Sequence, residues 1–190
     1  MRHAVLFFAI ALGGSGLDLL SKHLAFRHVP VGSEVTVIDG FFAIGHTVNK
    51  GVVFGKFGDA PTLWLVVSIA AVPAIIAIFF SGKKPRPWVQ TISLGMILAG
   101  TVGNMADRIA FGAVRDFIKF YVRSADGAER VWPLFNLADS FICIGVFLLS
   151  VEMIFFEEKK SVSAKAAADG PAASPEGPAP ASAPPPSGAP

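Results

Sequence analysis

The sequence predicts an all-α membrane protein: four transmembrane helices, a small β-rich element outside the membrane and a disordered C-terminal tail. Three observations lead there. Of the 190 residues, 53% are hydrophobic and 16% charged, against about 25% charged in ordinary soluble domains, and the mean hydropathy is +0.59. A small soluble globule of that composition would wet Leu, Phe and Val over much of its surface. The apolar residues gather in four runs near the ~20 residues a helix needs to cross a bilayer. Residues 161–190 hold 8 of the 14 prolines and almost no bulky apolar side chains, a composition that cannot bury enough to fold. The formal net charge of +2, from 16 basic and 14 acidic residues, gives no clustered basic face for nucleic acid. A lone cysteine, Cys143, excludes a disulfide-stapled module.

The first span covers residues 4–26. Its start, MRHAVLFFAIALGGSG, has the basic–apolar–small order of a cleavable signal. The apolar pattern continues through Leu17 to Lys22, however, and this favours a retained helix. Residues 27–61 alternate polar and apolar (Glu34, Val35, Thr36, Val37, Ile38) around Gly40, the pattern of short strands and a turn. The second span, 62–80, carries no charge, and its Pro73 is tolerable where neighbouring helices satisfy the freed carbonyl. Residues 81–88, SGKKPRPW, form a basic connector. The third span is 89–108, residues 109–133 form a second extramembrane loop, and the fourth span is 134–156. A membrane domain 1–160 is thus followed by an Ala/Pro-rich tail, 161–190.

Charge sets the orientation. Lys83, Lys84 and Arg86 crowd the short connector, Arg2 precedes the first span and Lys159 and Lys160 follow the fourth. Short basic segments stay cytoplasmic, so both termini face the cytoplasm and both longer loops face outward. The outward segments also hold basic residues, among them Arg27, Lys50 and Arg123. The density in the short connector decides the assignment.

Against this apolar background a few polar residues stand out, because each ionisable group in a span costs at least ~2.5–3.5 kcal/mol on insertion scales. Asp18 and Lys22 lie four apart on one helix face, as a structural ion pair or as part of a site. Asn104, Asp107 and Arg108 can share a direction at the end of the third span, with Gly100 and Gly103 admitting another backbone, or the last two simply cap the span. Asp116 sits among apolar neighbours. Asn136 and Asp139 share a face in the first turns of the fourth span, where a helix N-terminus alone would favour a carboxylate. Capping explains Asp139 but not Asn136, Asp116 and Arg108 at one depth. Two aspartates brought within a few ångströms share one proton. One can then activate a water while the other polarises a carbonyl and protonates the leaving amine.

Other chemistries fit less well. The four histidines show no HExxH or other metal spacing, and no GxSxG or phosphate-binding glycine loop is present. Ser21 and Lys22, being adjacent, point about 100° apart on a helix and make a poor dyad. No cofactor is expected. The non-enzymatic alternative is a small channel or transporter lined by these polar groups.

Five blocks in order resemble the lipoprotein signal peptidases, or signal peptidase II, of bacteria. Asp18 and Lys22 match a first-span D-x-x-x-K, and Asn49-Lys50-Gly51-Val52-Val53-Phe54-Gly55 resembles N-x-G-A-A-F-[GS]. Gly103-Asn104-Met105-Ala106-Asp107-Arg108 matches G-N-x-x-D-R, and Gly112 to Ile118 matches G-x-V-x-D-F-I. Phe135-Asn136-Leu137-Ala138-Asp139-Ser140 matches F-N-x-A-D-S, and the resemblance covers about residues 1–156. It implies an aspartic endopeptidase with Asp116 and Asp139 catalytic. Asp18, Lys22, Asn49, Gly103, Asn104, Arg108, Asn136 and Ala138 would bind substrate or organise the site. The implied partners are membrane lipids and prolipoproteins whose lipobox carries a diacylglyceryl-cysteine. The implied inhibitor is the cyclic peptide globomycin. The implied location is the bacterial inner membrane, with the β-rich element and the active site near the periplasmic face. No feature of the sequence requires more than a monomer. Three departures stand out: Leu19 where the family often has Gln, Val52-Val53 where it has a small pair, and Arg115 beside Asp116, a charge expected to lower that carboxyl's pKa.

Overall fold

The computed structural model describes residues 1–51, 61–82 and 86–168. It contains, in order, α1 (Arg2–His28), β1 (Glu34–Ile38), β2 (Phe42–Asn49), α2 (Pro61–Ser81), α3 (Trp88–Phe111), β3 (Val114–Arg123), β4 (Glu129–Val131) and α4 (Leu137–Ala168). Four helices are long and apolar enough to span a bilayer, as expected, with α4 contributing Leu137–Phe155. Met1–Met153 form one compact unit. Of the second, Ile154–Pro190, the described part is helical through Ala168. The tail expected beyond residue 160 therefore begins as helix, and 169–190 lie outside the described residues.

α3 is the packed helix: half of its apolar window is buried, against 11% in α2 and in α4. Glycines make this possible. A β-carbon at Gly14 would lie 2.7 Å from that of Ala99, and one at Gly100 would strike the Ala138 carbonyl. Backbones of α1 and α4 thus approach α3 closely, as small residues permit in lipid. The apolar core joins Phe7 and Ala11 of α1, Ile75 and Phe79 of α2, and Leu94 and Leu98 of α3. Phe7 and Phe79 stack with ring centroids 4.0 Å apart. Outward-facing Leu12, Leu20, Val66, Ile78 and Phe147 are exposed, which suits helices solvated by lipid tails. α2 continues through Pro73.

The expected alternation in 34–42 is realised as β1 and β2 around Gly40, whose φ of 73° suits the turn. The segment 109–133, expected as a loop, instead supplies β3 and β4, and one antiparallel sheet runs β1-β2-β3-β4. Phe42 pairs with Phe120 and Asn49 with Val114. Both long connections therefore lie at the same end of the helices, as four crossings require. The register slips between Ile44 and Thr47, immediately before Thr47 pairs with Asp116. Such irregularities re-aim side chains next to sites.

Candidate active site

Two helix ends build the site. α3 stops at Gly112, whose φ of 69° is left-handed and whose N–H donates to the Arg108 carbonyl. The chain then turns directly into β3. Asp107 fixes that turn: its carboxylate accepts the Arg115 backbone N–H at 2.9 Å, Nε at 3.1 Å and Nη2 at 2.7 Å. The next residue, Asp116, points to the opposite face of the strand and is 2% exposed. α4 starts at a reciprocal cap. Asn136 Oδ1 accepts the Asp139 N–H at 3.0 Å, and Asp139 Oδ2 accepts the Asn136 N–H at 3.2 Å. Capping and site membership, alternatives from the sequence, are both true of Asp139.

Asn136 touches both carboxylates. Its Nδ2 donates to Asp116 Oδ1 at 2.7 Å, while its backbone N–H reaches Asp139. Asn49 Nδ2 donates to Asp116 Oδ2 at 3.1 Å, and Asn104 Nδ2 to Asp139 Oδ1 at 2.8 Å. In each asparagine a donor holds the amide oxygen: Gly51 N–H for Asn49 at 2.8 Å, Lys22 Nζ for Asn104 at 2.9 Å, and Asp139 N–H for Asn136. Each amide is thereby oriented to turn its NH₂ toward a carboxylate.

Behind Asn104 lies a buried ionic cluster. Lys22 Nζ is 2.8 Å from Asp18 Oδ2 and 3.3 Å from Asp107 Oδ2, all three side chains being fully buried. Asp18 Oδ1 accepts the Ala138 N–H at 2.8 Å, at the positive end of α4. A β-carbon at Gly103 would lie 2.5 Å from Asp18 Oδ2 and 3.3 Å from the Ala138 β-carbon. Gly103 and Ala138 are thus small because the Asp18 carboxylate passes between α3 and α4. Of the three residues expected to face one way, Asn104 and Asp107 converge on Lys22. Arg108 lies within charge range of Asp139, Asp116 and Asp107 and donates to Ser68 Oγ of α2 and to the Asn104 carbonyl at 3.3 Å each.

Burial raises the Asp116 pKa from 3.8 to about 6, assisted by the charge of Asp139 and opposed by the Asn49 and Asn136 bonds and by Lys22. The expectation that Arg115 would lower it is overturned, because the guanidinium lies across the strand on Asp107. A shallow groove opens at Asp116 between Thr47, Asn49 and Lys50 on one side and Pro133 and Leu134 on the other. Val52 and Val53 fall outside the described residues. Among the described residues, no group of three or more His, Cys, Asp and Glu is arranged to hold a metal ion. From the sequence, Ser68 and Trp64 carry no expectation, and Asp107 groups with Asn104 and Arg108 but is given no role in the site. For Asp107 a signal existed: it lies three residues from Asn104 within the same block.

The chain is 35% identical to the lipoprotein signal peptidase of Geobacter sulfurreducens over 159 residues, covering 82% of this chain and 96% of that one. It is also 35% identical to that of Syntrophus aciditrophicus over 166 residues, 85% of this chain and all of the relative. A bacterial membrane enzyme solved by the in meso method at 2.3 Å resolution superposes with a TM-score of 0.69 at 26% identity, covering 81% of this chain and 90% of that one. The sequence model for signal peptidase (SPase) II matches residues 10–155. That stretch contains both carboxylates, the three asparagines and the ionic cluster behind them, and the chain belongs to the signal peptidase II family.

Proposed function

We propose that this chain is an aspartic endopeptidase that removes signal peptides from diacylglyceryl-modified prolipoproteins, cutting before the lipidated cysteine. The observation that carries the reading is the pair Asp116 and Asp139, contributed by β3 and α4 and joined through Asn136. Asp116 is buried and raised toward neutrality, so it holds the proton of the pair and polarises the scissile carbonyl. Asp139 is half-exposed and takes the proton of the attacking water. Asp116 protonates the leaving amine as the tetrahedral intermediate collapses, and the pair returns to its single-proton state.

A lipid-modified substrate stays in the bilayer, so its scissile bond must be met at the membrane surface. The site lies where the helices meet the sheet, and there the extended substrate runs from the spans toward β2 and β3. With the basic 81–88 connector cytoplasmic, both termini are cytoplasmic and the site faces the periplasm of a bacterial inner membrane. Globomycin competes for the same groove. Membership of a peptidase family disfavours the channel or transporter reading.

The test is a gel-shift assay of purified protein on a diacylglyceryl-modified precursor. Asp116→Asn and Asp139→Asn each abolish cleavage while protein level is unchanged. Full activity in either variant overturns the dyad.

A further inference from the structure

A chain of hydrogen bonds leads away from Asp116 into a helix that the dyad does not use. Asn49, which holds Asp116 Oδ2, is exposed. Its Oδ1 is fixed by the Gly51 N–H. Gly51, at φ +92°, turns its carbonyl the other way, where Trp64 Nε1 donates to it at 2.8 Å. The Trp64 ring lies so close over Gly51 that a β-carbon there would strike it. One turn further along α2, Ser68 Oγ donates to the Trp64 carbonyl at 2.7 Å. Having donated its one hydrogen, the hydroxyl is free to accept from Arg108 Nη1.

We infer that Trp64 is a positioning residue: its indole N–H clamps the Gly51 turn and thereby sets the Asn49 amide on Asp116. The consequence for the reaction rests on the function proposed above. The alternative role for a tryptophan at the start of a span is an interfacial anchor, which needs the ring but not its connection to Asp116.

The two roles separate chemically. Trp64→Phe keeps a ring over Gly51 and deletes the donor. Benzothienylalanine at position 64, with sulfur in place of Nε1–H, keeps the full indole shape and covers the case in which Trp64→Phe does not accumulate. Slackening Asn49 removes a bond that favours the ionised carboxylate, so the Asp116 midpoint rises above its value of about 6. The charged groups acting there are Asp139 from α4, Lys22 from α1, Arg108 from α3 and Lys50 at the groove rim. None of them is altered.

Difference infrared titration of the carboxyl band that Asp116→Asn removes reads this midpoint without substrate. On lipidated precursor, kcat falls about 5- to 10-fold, the scale of one hydrogen bond, with KM unchanged. Combining Trp64→Phe with Asn49→Ala costs no more than Asn49→Ala alone, because both act through one amide. An unmoved midpoint, or losses that multiply in the double variant, overturns the assignment. Failure of the unaltered protein to cleave precursor overturns the proposed function instead, and the infrared midpoint then decides on Trp64 alone.

Discussion

Lys22→Met tests what the ionic cluster does. Lys22 is fully buried and meets Asp18 at 2.8 Å, Asp107 at 3.3 Å and Asn104 Oδ1 at 2.9 Å. With Arg115 on Asp107, two carboxylates and two cations balance. Methionine fills much of the lysine's volume but leaves the cluster one negative charge in excess among fully buried side chains. Asp107 keeps Arg115 and Asp18 keeps the Ala138 N–H, so compensation is partial. Removing one partner of a buried pair costs about 3–5 kcal/mol, which corresponds to a fall in melting temperature on the order of 10 °C for a chain of this size. The assay is thermal unfolding in detergent, run beside Asp18→Asn and the double variant Asp18→Asn/Lys22→Met. The double variant restores neutrality and recovers at least about 2 kcal/mol of the loss, a coupling expected only between groups in contact. A Lys22→Met protein within about 1 kcal/mol of the unaltered chain, or a double variant that is merely additive, refutes the cluster as the mutual support of α1, α3 and α4.

Three further outcomes follow from burial and packing. Asp116 favours the protonated form in the folded state, so its contribution is fully present below its ordinary value of 3.8 and is lost as pH rises through about 6. Asp116→Asn is therefore more stable than the parent above that window by up to about 3 kcal/mol, and the gap closes as pH falls toward 4 in paired thermal melts. Gly100→Ala drives a β-carbon into the Ala138 carbonyl and costs about 1–3 kcal/mol, lowering cleavage through the neighbouring Asp139. Gly13→Ala meets nothing within 4 Å and raises stability by up to about 1 kcal/mol.

The spans were legible because lipid admits few alternatives to a run of apolar residues, and β1 and β2 because one polar–apolar period survives in 34–42. β3 was not: Val114, Asp116, Phe117, Lys119 and Tyr121 are all buried. A strand covered on both faces shows no alternation, and its pairing with β2 joins residues distant in sequence. The start of α4 at Leu137 rather than 134 was written in the Asn136-x-x-Asp139 spacing of a reciprocal cap. The candidate carboxylates, with Asn104 and Asn136 beside them, could be picked out because polar groups are scarce in the spans, whereas Asn49 came from the family resemblance alone. Their wiring could not be read: Arg115 and Asp116 part across a strand in a segment that read as a loop. Trp64 and Ser68 carried no signal, since an aromatic and a small hydroxyl residue are ordinary occupants of a span.

The cap of α4 also dictates when the pair proposed to react can form. Asn136 and Asp139 adopt their mutual bonds only once α4 begins at Leu137, and the same Asn136 amide then reaches Asp116. A nascent chain with three helices inserted holds Asp116 without its partner Asp139. On the function proposed above, insertion of the last helix and arming of the protease are a single biosynthetic event.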